Sequence, residues 1–181
     1  MVTAALTGLL GVMPGSRGAG ADALPPFELP NWDGQVITAD SFPGSRTIVL
    51  FTYAKCDMAC PMATQALQEL DQELGKPEDL RLIHISVNPT EDSCEEILKH
   101  FAKFGIDPRL DPRWLFLRGT PEQTAAVLTR YGIEVSRTPI PTVGMLIRHT
   151  VKVLVFEPMD ETLQVFDTYQ WMEEEMHDAL Q

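Results

Sequence analysis

Two cysteines, Cys56 and Cys60, lie in the segment Phe51-Thr52-Tyr53-Ala54-Lys55-Cys56-Asp57-Met58-Ala59-Cys60-Pro61-Met62. Thiols at this spacing can open and close a disulfide, or they can share a soft metal ion. If the first turn of a helix includes both, a spacing of four puts them on one side. Pro61 suits the first helical turn, which puts Cys60 at or near the N-cap. A helix N-terminus carries partial positive charge and free N–H groups, so it favours thiolate over thiol. Lys55 beside Cys56 acts in the same direction. A pair of buried, inert cysteines is the plain alternative. It fits poorly with a strand-to-helix corner beside a cation.

Other soft or basic donors are scattered. Met58 lies inside the loop and Met62 just after it, and thioethers suit Cu(I). Met62 also fits the apolar face of the following helix, where packing is its expected role. His84 lies mid-strand in LIHIS and is expected in the core. His100, on a helix with Lys99 and Lys103, is expected in solvent. His149 is expected at a hairpin tip, away from the cysteines, and His177 lies in an acidic tail. Cys94 opens a second helix and has no cysteine near it in sequence. It reads as structural, with a resolving-thiol role as the alternative.

The elements that must position the pair can be read from pattern. Gln35–Ala39 reads as a short strand after the turn residues Asn31-Trp32-Asp33-Gly34. Arg46–Thr52 (RTIVLFT) is a β-branched run expected to be a buried strand. Pro61–Leu74 is predicted helical, with Met62, Ala66, Leu67, Leu70 and Leu74 on one face. Leu80–Val87 is the next strand, Cys94–Phe104 the next helix and Trp114–Leu117 a short strand. Thr120 reads as an N-cap with Pro121 in the first turn of a helix that stops at Gly132. Thr142–Arg148 and Val151–Phe156 are predicted to form a hairpin, and Asp167–Leu180 a final amphipathic helix. Strand–helix alternation implies an α/β fold with right-handed crossovers and a mostly parallel sheet that ends in antiparallel strands.

The chain has 181 residues, of which 44% are hydrophobic and 22% charged. Those values fit one globular domain and argue against disorder, collagen and a polytopic membrane protein. Three cysteines make no disulfide framework. With 26 acidic against 14 basic residues the net charge is −12, which disfavours nucleic acid as a partner. No Lys or Arg follows Lys152, while eight acids do, as expected of a solvated face. Residues Val2–Met13 form an apolar run, too short to span a bilayer. Ala19-Gly20-Ala21 and Ala21-Asp22-Ala23 follow it, as in a secretory signal, though no cation precedes the run. The expectation is a leader over residues 1–23 and one domain over 24–181. Export to the periplasm or another extracytoplasmic space follows, with no transmembrane helix of the chain's own.

The sequence resembles the Sco/SenC family of thioredoxin-fold proteins, implicated in assembling the copper site of respiratory oxidases. Cys56-x-x-x-Cys60-Pro61 matches its C-x-x-x-C-P, and Ile85-Ser86-Val87-Asn88-Pro89-Thr90-x-Asp92 matches its I-S-V-D-P-x-x-D with Asn88 for Asp. Pro26-Phe27-x-Leu29 with Asp33-Gly34 resembles its lead-in hairpin, and Leu117-x-Gly119-Thr120 its L-T-G element. The resemblance implies a thioredoxin-like fold: a central mixed β-sheet flanked by helices, with an N-terminal β-hairpin. The family binds copper through its two cysteines and a histidine from a D-H-S segment opening a late strand. The corresponding stretch is expected at Arg137–Val143, where Pro141 takes the histidine's place, so this chain is expected to be a divergent member without that ligand. Ile140-Pro141-Thr142 instead resembles the cis-proline loop that faces the dithiol in thioredoxins.

Two functions follow. One is thiol–disulfide exchange at the oxidase's copper centre, with Cys56 as attacker, Cys60 as resolving thiol, Pro141 shaping the substrate face and no cofactor required. The other is a metallochaperone that holds Cu(I) through Cys56 and Cys60, with Met58 as a further ligand and weak affinity for Cu(II). In either, the expected partner is a membrane-associated client with a cysteine-containing copper site or a disulfide. A peroxidase reading from Thr52 and Cys56 fails on spacing. A structural zinc site lacks a second ligand pair.

Overall fold

The computed structural model describes residues 23–57, 59–141 and 144–167. Residues 1–22 of the expected leader and the expected helix from 168 onward lie outside the described residues, as do Met58 and His177.

A five-stranded sheet forms the centre, in the order β5-β4-β3-β8-β9. β3 (Arg46–Thr52), β4 (Leu80–Ser86) and β5 (Trp114–Leu117) run parallel. β8 (Val153–Glu157) joins β3 antiparallel, and β9 (Thr162–Phe166) joins β8 antiparallel. The parallel strands are covered on both faces and therefore read as continuous apolar runs rather than alternating ones. Their alternate residues feed two cores. Ile48, Leu50, Leu80, Leu82 and Phe116 face one side, where α1 (Ala59–Glu73) and α2 (Cys94–Ala102) supply Leu67, Leu70, Ile97 and Phe101. Val49, Phe51, Ile83, Ile85 and Leu117 face the other, where α3 (Pro121–Arg130) supplies Val127 and Leu128.

The N-terminal hairpin, β1 (Glu28–Pro30) with β2 (Val36–Thr38), packs Leu29 and Ile37 into the second core. The Asn31 side chain accepts from the Phe116 amide at 3.0 Å, which ties this hairpin to β5, the edge strand of the sheet. α3 starts on the expected Thr120 cap, in a full capping box with Gln123.

The late part of the chain departs from expectation. β6 (Val135–Ile140) pairs with β7 (Gly144–His149) in a separate two-stranded sheet, and β8 pairs with β9. Thr142–Arg148 and Val151–Phe156 are therefore not partners. β6 is largely exposed and carries no apolar alternation, so it leaves little pattern to read. α1 is also rotated from its expected face. It buries Cys60, Ala63, Thr64, Leu67, Leu70 and Asp71, whereas Met62 is 59% exposed. The buried Asp71 is held by Arg113, at 2.6 and 3.0 Å, which allows a charged residue on the inner face. Among the described residues, no helix is long and apolar enough to cross a membrane.

Candidate functional site

Strand β3 ends at Thr52, and the chain turns through Tyr53–Cys56 before α1 begins at Ala59. The turn closes with the Cys56 amide donating to the Tyr53 carbonyl at 3.1 Å. Cys60 thus lies inside the first turn of α1 rather than at its cap, and its carbonyl accepts from the Thr64 hydroxyl at 3.1 Å. The dithiol lies at the C-terminal edge of the parallel strands, where open α/β sheets place their ligand sites.

Neither cysteine is in a disulfide, and each is 5% exposed. Exposure therefore does not set Cys56, the expected attacker, apart from Cys60. A hydrogen bond between the two thiols is the largest influence on Cys60 and holds its proton on, and burial and charge on Cys56 add to it. The Thr52 hydroxyl makes no hydrogen bond of normal geometry among the described residues, but it lies close enough to Cys60 to pull the other way, as does the Tyr53 backbone. Burial is the first cause that pushes the Tyr53 phenol up, followed by the charge and hydrogen bond of Cys56. Lys55 is exposed beside the pair.

His149 is the site residue that the sequence reading misplaces. Expected at a hairpin tip, it instead ends β7 just ahead of β8. β8 runs antiparallel to β3 with Leu50 opposite Val153. Carried on, that register brings the chain before Val153 alongside the end of β3. The result is a narrow cleft of about 20 Å³ lined by Leu50, Phe51, Ala59, Cys60, Ala63, His149, Val151 and Lys152. The His149 Nδ1 is 2.9 Å from the Thr150 carbonyl. A carbonyl only accepts, so Nδ1 is the donor of this contact, and in the neutral ring Nε2 is then the nitrogen that carries the lone pair. The signal is present in Arg148-His149-Thr150, a histidine just ahead of a late strand, but the sequence reading places the family's histidine position at Pro141 instead.

Pro141 lies elsewhere. It is exposed in the turn joining β6 to β7, and it does not line the cleft of Cys60 and His149. The described residues contain no cis peptide, so the Ile140–Pro141 bond is trans, against the cis expectation. His100 is also corrected: it is wholly buried, with Nε2 2.9 Å from the Thr64 hydroxyl. Burial first, then Lys103, lowers it to about 4. His84 is wholly buried as expected. Cys94 is exposed at the first residue of α2.

The donors fit copper in kind: two thiols in mutual contact and one imidazole with a ring-nitrogen lone pair, the soft and borderline set that copper accepts. They are not drawn into a finished ligand cluster. Among the described residues, no group of three or more His, Cys, Asp or Glu stands close enough to hold a metal.

Comparison with known proteins points to one family. The SCO1/SenC family model matches residues 16–181. The SCO1 protein homolog of Bacillus subtilis is 30% identical over 95 residues, covering 52% of this chain and 48% of its own. The structure of Arabidopsis thaliana ScoI with copper bound superposes with a TM-score of 0.72 at 21% identity, over 88% of this chain and 96% of the other. The structure of BsSco, a member of the Sco family of cytochrome c oxidase assembly proteins with an identified disulfide switch, superposes at 0.64 with 22% identity, over 87% and 88%. At those identities the likeness shows the fold, which is thioredoxin-like. The chain spans about two-fifths to half the length of the curated relatives it matches.

Proposed function

Because this chain belongs to the SCO1/SenC family, we propose that it carries copper as cargo to the copper centre of a respiratory oxidase, held by Cys56, Cys60 and His149. The observation that carries this reading is the shared cleft of Cys60 and His149. A dithiol alone suits Cu(I). An added imidazole extends the set to Cu(II), which prefers nitrogen. The copper bound to ScoI and the oxidase-assembly role of BsSco support the same reading.

The dithiol gives the site a second use, thiol–disulfide exchange. Cys56 as thiolate attacks a client disulfide, forms a mixed disulfide and releases one client thiolate. Cys60 then gives up its proton and attacks the Cys56 sulfur, and the second client thiolate leaves. The client disulfide is reduced and Cys56–Cys60 is oxidised. The contact between the two thiols supports this order, because the proton is held on Cys60. The apolar run and the A-x-A stretch at the N-terminus support an extracytoplasmic place of work, with a membrane-associated client.

The test is anaerobic titration of the reduced protein with Cu(I), and separately with Cu(II), in wild type and in His149→Ala. The wild type should take one equivalent of either ion. His149→Ala should lose Cu(II) binding and keep most Cu(I) affinity. Equal Cu(II) binding by the two proteins would remove His149 from the site.

A further inference from the structure

One acidic side chain beneath the dithiol turn is not accounted for by copper or exchange. Asp92 is wholly buried in the segment that leads from β4 into α2. One carboxylate oxygen accepts from the Ala54 amide at 2.9 Å, across 38 residues of chain. The other accepts from the Ser86 hydroxyl at 2.5 Å. Ser86 is the last residue of β4, and its Oγ also accepts from the Asn88 amide at 3.0 Å. The Asp92 amide donates to the Asn88 carbonyl at 3.2 Å. Both ends of the carboxylate are therefore fixed, one to the sheet and one to the turn that carries Cys56. Ala54 itself is 3% exposed, so no water stands ready to replace the carboxylate at its amide.

We propose that Asp92 is a positioning residue for the dithiol, holding the Tyr53–Cys56 turn against β4 so that Cys56 stays in contact with Cys60. This rests on the dithiol reading above and extends it to a residue that touches neither sulfur. The Cys56 amide closes its turn on Tyr53 with one backbone bond. The Ala54–Asp92 bond ties that turn to the sheet. A buried hydrogen bond to a charged group is among the stronger polar contacts in a protein, and losing it leaves the Ala54 amide without a partner. The turn should then drift, and the effective concentration of one thiol at the other should fall.

The test compares the equilibrium between dithiol and disulfide in glutathione buffers for wild type, Asp92→Ala, Asp92→Asn and Ser86→Ala. Asp92→Ala removes the acceptor at Ala54. Asp92→Asn keeps an oxygen that can face the Ala54 amide. Ser86→Ala loosens the far side of the carboxylate and leaves the Ala54 bond. Disulfide formation should weaken about tenfold or more in Asp92→Ala, the ratio expected from losing one such bond, and stay within about threefold of wild type in the other two. If Asp92→Ala matches wild type, or Asp92→Asn or Ser86→Ala falls as far as Asp92→Ala, the proposal is overturned. The wild type gives a second reading that needs no variant: hydrogen exchange at the Ala54 amide should be slow at neutral pH, and fast exchange overturns the proposal. None of these readouts uses copper or a client. A failed copper titration would sink the cargo reading and leave this result standing.

Discussion

His84 lies nearly flat against Phe116, with ring centroids 5.8 Å apart and planes 19° apart, and neither of its ring nitrogens has a hydrogen-bond partner among the described residues. Phe101 meets it edge-on at 5.1 Å, and Trp114 lies 6.0 Å away. A polar ring here gains packing but leaves two buried nitrogens unsatisfied. Burial first, and then His100, pushes its pKa well down, so the ring is neutral. Replacing an unsatisfied polar group by an apolar one of similar shape can stabilise a protein, and an unsatisfied group costs about 1–3 kcal/mol. His84→Phe should raise the thermal midpoint, with a gain of about 1 kcal/mol or more. A lower midpoint would mean that a partner for one of the nitrogens exists.

Asp92 and His100 should oppose each other in the pH dependence of stability. Burial is the first cause that raises Asp92 from 3.8 to about 6. The Ser86 and Ala54 hydrogen bonds and Arg118 pull it down, and Glu91 pushes it up. Its contribution is present below pH 3.8 and is lost as pH rises through about 6. His100 is lowered to about 4, so its contribution is present above pH 6.5 and is lost as pH falls through about 4. His84 has the same sign as His100. Asp92→Asn removes one of the opposing slopes. Between about pH 4 and 6, unfolding free energy should climb with pH more steeply in Asp92→Asn than in wild type, by up to about 1.4 kcal/mol per pH unit. Denaturant melts across that range measure it. Parallel slopes would mean that Asp92 is ionised throughout.

Much of the fold is legible in the sequence because the signals are local. The apolar runs at Arg46–Thr52 and Leu80–Ser86, the cap at Thr120 and the corner at Cys60-Pro61 each declare their element within a few residues. The histidine of the site is not local. Its position depends on β8 pairing with β3, about a hundred residues earlier in the chain. The hairpin boundary is hidden because β6 carries Val-Ser-Arg-Thr-Pro-Ile, with four successive exposed residues and a proline inside a strand. Shifting that boundary moves His149 from the end of a strand to a tip and makes Pro141 the substitute. Met62 is misleading for a similar reason: a buried Thr64 and Asp71 on α1 hide the true inner face from a count of apolar residues.

Pro141 at the exposed turn between β6 and β7 should therefore be dispensable for dithiol chemistry. Pro141→Ala should leave the dithiol–disulfide equilibrium and Cu(I) affinity within about twofold of wild type, since a surface change usually costs no more than about 0.5 kcal/mol. A loss of tenfold or more in either would bring the hairpin tip back to the dithiol.

The two cysteines should separate the two uses of the site. In the proposed copper site each would supply one thiolate, so Cys56→Ser and Cys60→Ser should weaken Cu(I) binding to a similar extent. If Met58 supplies a third sulfur, Met58→Leu should also weaken Cu(I) binding, and an unchanged affinity would remove it from the ligand set. Exchange is asymmetric. The thiol contact and burial hold the proton on Cys60, so attack should fall to Cys56. Cys60→Ser should still attack a model disulfide and then stall as a mixed disulfide, because no thiol remains to resolve it. Cys56→Ser should trap little, because burial, which that variant leaves in place, still holds the proton on Cys60. Mass spectrometry of each variant after incubation with a small aromatic disulfide reads the outcome directly. Equal trapping would leave the site symmetric, with copper as its one supported use. Trapping by Cys56→Ser alone would reverse the roles and make Cys60 the attacker.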